Sequence, residues 1–186
     1  MTGALILDRD GVLIEAASPG QYLRSWQDVR PIRGSIRTLF SLRDFGIRPI
    51  LVMTNQSGIG RGVVRWDEVL DANRAFLDIA SSAIDGFYLC PHAPEDDCDC
   101  RKPRDGMVRR AMFMHDFDPE KSLVVGDHHD DMGLAEAIGA EFILVKTGRG
   151  DSCLADLEAA AFFSIVADFR AAAPMIRVWW WRQMDS

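Results

Sequence analysis

The chain has 186 residues, of which 48% are hydrophobic and 26% charged, and its 21 basic and 28 acidic residues leave a net charge of −7. A chain of this length buries roughly 70% of its unfolded surface in one core without a disulfide staple, so 1–186 reads as one folded domain and not as a disordered or fibrous segment. The acidic balance argues against holding nucleic acid or anionic lipid by bulk attraction, and any anionic ligand must meet local positive charge.

Short β-branched and leucine-rich runs alternate with longer stretches of helical periodicity, which predicts an α/β fold: a parallel sheet with helices on its faces. The first strand is expected at 4–7, directly before Asp8-Arg9-Asp10-Gly11. A helix at 35–45 leads to a strand at 48–53, which Thr54-Asn55-Gln56-Ser57 follows. A helix at 66–81 precedes a strand at 86–89 and then Cys90-Pro91-His92. The helix expected at 106–115 carries Met107, Ala111 and Met114 at helical spacing, read here as core contact. A strand at 122–125 runs into Gly126-Asp127-His128-His129-Asp130-Asp131, and a helix at 131–138 and a strand at 141–145 follow. Apolar runs such as 50–53 and 142–145 have strand length, far short of the ~20 residues of a membrane span. The first residues lack a basic region and a long apolar stretch, so no signal peptide is read and the cytoplasm is the expected address.

Ligands of open parallel sheets bind outside the carboxyl ends of the strands, and four polar clusters fall there. Asp8 and Asp10 stand two apart, so a strand can send both carboxylates to one side. One of them can attack phosphorus while the other moves protons. A bare Asp-Gly bend gives the same pattern, and the pair alone does not choose between the two. Asp127 and Asp131 offer carboxylates to a hard divalent cation, with Asp8 and the backbone of residue 10 as partners, while Asp130 or Asp131 can also cap the helix that follows. Thr54 can donate its hydroxyl to a phosphoryl oxygen, and Lys102 can supply the positive charge that the composition lacks. His128 and His129 share the expected rim.

Cys90, His92, Cys98 and Cys100 form a compact Cys-x-His-x5-Cys-x-Cys pattern, the three-thiolate, one-imidazole set of a closed structural zinc site. Thiols clustered in this way read as metal ligands and not as disulfide partners.

Taken together, Ile6-Leu7-Asp8-Arg9-Asp10-Gly11-Val12, Met53-Thr54-Asn55-Gln56-Ser57-Gly58, Arg101-Lys102-Pro103 and Val125-Gly126-Asp127 through Asp131 resemble the four motifs of the haloacid dehalogenase (HAD) superfamily of phosphohydrolases. With the zinc loop they resemble the branch that holds the heptose 1,7-bisphosphate 7-phosphatases and the histidinol-phosphatase domains. The resemblance covers about 4–150 and leaves 151–186 as an extension with no counterpart. It implies a Rossmann-like, HAD-like sheet without a large cap, and magnesium-dependent hydrolysis of a small sugar phosphate through an aspartyl phosphate. By the resemblance Asp8 is the nucleophile, Asp10 the acid/base, and Thr54 and Lys102 stabilise the phosphoryl group. It makes Arg9, Asn55, Gln56, Ser57, Arg101 and His128 substrate contacts, and Asp8, Asp10 and Asp127 the magnesium site. Zinc, held by Cys90, His92, Cys98 and Cys100, keeps a structural role. The Thr54 to Gly62 run favours the heptose reading, the short spacer between His92 and Cys98 the histidinol one. Val12 stands where threonine is usual, Asp105 where proline is frequent, and His128 where the heptose enzymes carry lysine. The expected protein is a monomer or homodimer, with the loop 15–22 and the zinc loop selecting substrate and Trp179-Trp180-Trp181 packing against the body or a second subunit. A zinc-stabilised binding module without chemistry is the alternative from another class.

Overall fold

The computed structural model describes residues 1–18, 21–156 and 163–184. Among them six strands form one parallel sheet: β1 (Leu5–Leu7), β2 (Ile50–Asn55), β3 (Gly86–Cys90), β4 (Leu123–Gly126), β5 (Glu141–Val145) and β6 (Phe163–Val166), in the order β3-β2-β1-β4-β5-β6. The helices are α1 (Ser35–Asp44), α2 (Ser57–Gly60), α3 (Trp66–Ala80), α4 (Gly106–Met112), α5 (His129–Ile138), α6 (Gly150–Asp156) and α7 (Phe169–Met184).

The central strands are apolar on both sides because helices cover both faces of the sheet. Period-two alternation sends Leu5 and Leu7 into one core with Leu39 and Leu42 of α1, Phe76 of α3, and Phe169 and Ile176 of α7. Ile6 points the other way, into a core with Met107 and Val108 of α4 and Leu134 and Ile138 of α5.

The five strands and four helices expected from the sequence are present, with ends shifted by a few residues. The expectation for Met114 is corrected. Helix α4 ends at Met112, and the Phe113 and Met114 amides bond three residues back, to Arg110 and Ala111. That tighter turn advances each residue further around the axis and carries Met114 off the apolar stripe into solvent, where it is 75% exposed. Beyond 150, the extension supplies α6, the edge strand β6 and α7. Trp179 and Trp180 pack into the core on the α7 face, and Trp179 Nε1 donates to the Lys121 carbonyl at 3.2 Å. Trp181 is 63% exposed. Positions 19 and 20 of the 15–22 loop and residue 162 lie outside the described residues. No helix among those described is long and apolar enough to cross a membrane.

The strand order reverses at β1, since β2 lies on one side of it and β4 on the other. The segments leaving β1, β2 and β4 therefore open into the same crevice.

Candidate active site

Asp8 continues β1, its amide donating to the Val125 carbonyl of β4 at 3.0 Å, and this fixes it at the switch point. Lys102 is buried and reaches it from the loop after the cysteine cluster. Its Nζ donates to Asp8 Oδ1 at 2.8 Å, to Asp131 Oδ1 at 2.6 Å and to the Met53 carbonyl at 2.7 Å. Three acceptors match the three protons of an ammonium. Burial opposes the charge on Lys102, but Asp131 and Asp8 outweigh it and hold the ammonium above the ordinary lysine range. Burial pushes the Asp8 carboxyl well up; Lys102 pulls against this, and Asp131, Asp127 and Asp10 add to it.

The Asp10 carboxylate faces a separate set of donors. Its Oδ2 accepts from Arg9 Nη2 at 2.7 Å, Gln56 Nε2 at 2.9 Å and Thr54 Oγ1 at 3.2 Å. Arg9 is itself buried, and its Nη1 donates to Asn73 Oδ1. The structure thus gives the Arg9 donors to Asp10 and Asn73 at the base of the pocket. Asn55 faces the main chain of Lys102 as well as the crevice, and Ser57 opens α2 at the pocket wall.

Asp8, Asp127 and Asp131 each offer a carboxylate oxygen, and these oxygens lie within 4.8 Å of one another. Asp127 Oδ2 accepts the Arg149 amide at 2.7 Å. Burial, followed by the Asp131 charge, pushes Asp127 up to about 6. Three carboxylates this close, two of them buried, are a donor set that suits a hard divalent cation. The Asp10 side chain lies outside this cluster. Gly11 has φ +83°, and a Cβ there would run into the Asp127 carboxylate, so glycine is required for this approach.

His128 is the N-cap of α5: its Nδ1 accepts the Asp130 amide at 3.3 Å, and its own amide donates to Asp131 Oδ2 at 3.2 Å. The Asp130 carboxylate, its Oδ2 3.6 Å from His128 Nδ1, raises the His128 pKa. Arg101 Nη2 stands 3.7 Å from Asp130 Oδ2, and its Nη1 is buried without a hydrogen-bond partner among the described residues. These side chains wall a cavity of about 160 Å³, closed on the other side by Ala16, Ala17, Gln21, Tyr22 and Leu23.

Next to it, Cys90, His92, Cys98 and Cys100 converge. Cys90 Sγ lies 3.3 Å from Cys100 Sγ and 3.6 Å from both Cys98 Sγ and His92 Nδ1, while Cys100 Sγ lies 3.2 Å from His92 Nδ1 and 3.7 Å from Cys98 Sγ. Ligands about 2.3 Å from a tetrahedral zinc stand about 3.5–3.8 Å apart, so the four donors have the spacing that zinc would need. A Cβ at Gly60 would strike the backbone of His92 and Ala93, which shows how closely α2 packs on this loop.

Sequence reasoning passed over two members of the site, Asn73 and Arg149, and one pairing, that of Asp131 with Lys102. Asn73, on α3, carries no signal that would link it to Arg9. Asp131 was weighed as a cation ligand or helix cap but not as a partner of Lys102. Arg149 lies four residues past the end of β5, on the loop that leaves the strand, and the strand-end rule that singled out the other clusters points to that loop as well.

The HAD-hydrolase-like family model matches residues 99–172. The chain is 37% identical over 153 residues to the D-glycero-beta-D-manno-heptose-1,7-bisphosphate 7-phosphatase of Pseudomonas putida, covering 81% of this chain and 86% of that one. It is 40% identical over 140 residues to the D-glycero-alpha-D-manno-heptose-1,7-bisphosphate 7-phosphatase of Mycobacterium tuberculosis, covering 73% of each. Among solved structures, the D,D-heptose 1,7-bisphosphate phosphatase from B. bronchiseptica, complexed with magnesium and phosphate, superposes with a TM-score of 0.85 at 28% identity, over 94% of this chain and 98% of that one.

Proposed function

The chain belongs to the HAD-like hydrolases, among the heptose 1,7-bisphosphate 7-phosphatases, and from that premise we propose that it removes the 7-phosphate of D-glycero-D-manno-heptose 1,7-bisphosphate. It is a phosphatase, and the reading as a binding module without chemistry is set aside, because relatives at this identity are named phosphatases. One observation carries the mechanism: the Asp8 carboxylate meets the Lys102 ammonium at 2.8 Å, with Asp10 held beside it by Thr54 and Gln56.

An Asp8 oxygen attacks the phosphorus of the 7-phosphate, the bond from phosphorus to sugar oxygen breaks, and the leaving oxygen takes a proton from Asp10. The aspartyl phosphate is then opened by a water that Asp10 deprotonates, which releases phosphate and restores the Asp8 carboxylate. Lys102 and the Thr54 hydroxyl receive the phosphoryl oxygens. Magnesium held by Asp8, Asp127 and the main chain of residue 10, with Asp131 alongside, would supply Lewis-acid stabilisation of the phosphoryl charge. Zinc at Cys90, His92, Cys98 and Cys100 would brace the loop that delivers Arg101 and Lys102. The same reading takes 1–186 as one hydrolase domain, working without nucleic acid or membrane, in the cytoplasm where clustered thiols stay reduced.

Released phosphate measured on heptose 1,7-bisphosphate and on histidinol phosphate tests the assignment. A much higher kcat/KM on the bisphosphate, with the 7-phosphate leaving first, supports it, and the reverse ranking overturns it.

A further inference from the structure

Four lysine or arginine side chains line the pocket among the described residues: Arg9, Arg101, Lys102 and Arg149. Three of them already face carboxylates: Arg9 is bonded to Asp10, Lys102 to Asp8 and Asp131, and Arg101 stands near Asp130. Arg149 makes no side-chain hydrogen bond or ion pair among the described residues, and it is exposed. Its main chain, by contrast, is fixed. The Arg149 amide donates to Asp127 Oδ2 at 2.7 Å, Thr147 Oγ1 donates to the Gly11 carbonyl at 2.5 Å, and Gly148 between them takes φ +63°. An unengaged guanidinium therefore stands on a rigid stem at the mouth of the pocket.

A sugar bisphosphate brings two groups of roughly −1.5 to −2 charge each. The Asp8 end meets one of them with Lys102 and Thr54. The second needs a cation not already neutralised by a carboxylate, and Arg149 is the pocket-lining cation with no carboxylate in ion-pair reach among the described residues. We propose that Arg149 binds the distal phosphate, the one that is not hydrolysed, and so sets the preference for bisphosphates over monophosphates. The inference rests on the bisphosphate reading above.

The test compares kcat/KM of wild type, Arg149→Gln and Arg149→Lys on heptose 1,7-bisphosphate and on heptose 7-phosphate, which lacks the distal group. A charge-assisted contact made equally in ground and transition states predicts that Arg149→Gln lowers the bisphosphate-to-monophosphate ratio roughly tenfold or more, chiefly through KM. Arg149→Lys should recover part of it. A ratio unchanged in Arg149→Gln overturns the proposal, and so does a wild type with no preference for the bisphosphate. If the wild type ignores both heptoses but cleaves fructose 1,6-bisphosphate, the heptose assignment fails. The same ratio, taken between fructose 1,6-bisphosphate and the fructose monophosphate it cleaves, then decides the role of Arg149.

Discussion

Asn55 and the main chain of Lys102 bond each other twice: Asn55 Nδ2 donates to the Lys102 carbonyl at 3.1 Å, and the Lys102 amide donates to Asn55 Oδ1 at 3.1 Å. The end of β2 and the loop after the cysteine cluster are joined at the residue whose ammonium meets Asp8. Asn55→Ala leaves a part-buried amide and carbonyl without partners, which costs about 1–3 kcal/mol. A displaced Lys102 lowers kcat by up to roughly 10², because errors of about 1 Å in positioning are that expensive. Thermal melts and initial rates on one preparation check both, and a variant with wild-type kcat would show that Lys102 is held by other means.

The cysteine cluster acts on chemistry only through that loop. Cys98→Ser, or removal of metal by a chelator, should lower the melting temperature and raise protease sensitivity near 90–105, with activity falling as a result. Elemental analysis should return about one zinc per chain, since four protein ligands close the coordination shell. Full activity and an unchanged melt in metal-stripped protein would rule out a structural zinc.

Asp127 gives a pH signature. Burial and the Asp131 charge push it up to about 6, above its ordinary value, so the folded state favours the protonated form. The stability this confers is fully present below about 4, the unfolded value, and is lost as pH rises through about 6. A divalent cation reverses the preference by binding the ionised carboxylate. The rise in melting temperature at a fixed magnesium concentration should therefore be larger at about pH 7.5 than at about pH 5. Equal rises at both pH values would take Asp127 out of the cation site.

In the extension, Trp179 and Trp181 should behave oppositely. Trp179 is buried and bonded to Lys121, so Trp179→Ala costs about 3–5 kcal/mol. Trp181 is 63% exposed, and Trp181→Ala stays within about 0.5 kcal/mol. Urea titrations of the two variants separate them, and similar midpoints would contradict this packing.

The strands expected at 4–7, 48–53 and 122–125 were legible because both faces of a parallel sheet are covered, which makes 4–7, 50–53 and 123–125 continuously apolar. The polar clusters at their ends followed from the same rule. What stayed hidden depended on the third dimension. Residues 169, 172, 176 and 179 of α7 do fall at helical spacing, but Pro174 inside the segment and the three adjacent tryptophans obscured it. The engagement of Arg9 with Asn73 joins residues 64 apart in sequence. Nothing local distinguishes Lys102, tied to two carboxylates, from Arg149, whose guanidinium has none within ion-pair reach among the described residues.

The central claim is that Asp8 takes the phosphoryl group, and phosphate release from heptose 1,7-bisphosphate by wild type and Asp8→Asn, with magnesium present, tests it most directly. Circular dichroism should show both proteins equally folded, since Asn keeps the shape of Asp8 at the end of β1. The account predicts that turnover falls by roughly 10³ or more in Asp8→Asn, the scale of losing a nucleophile. A folded Asp8→Asn enzyme releasing phosphate at the wild-type rate would contradict it.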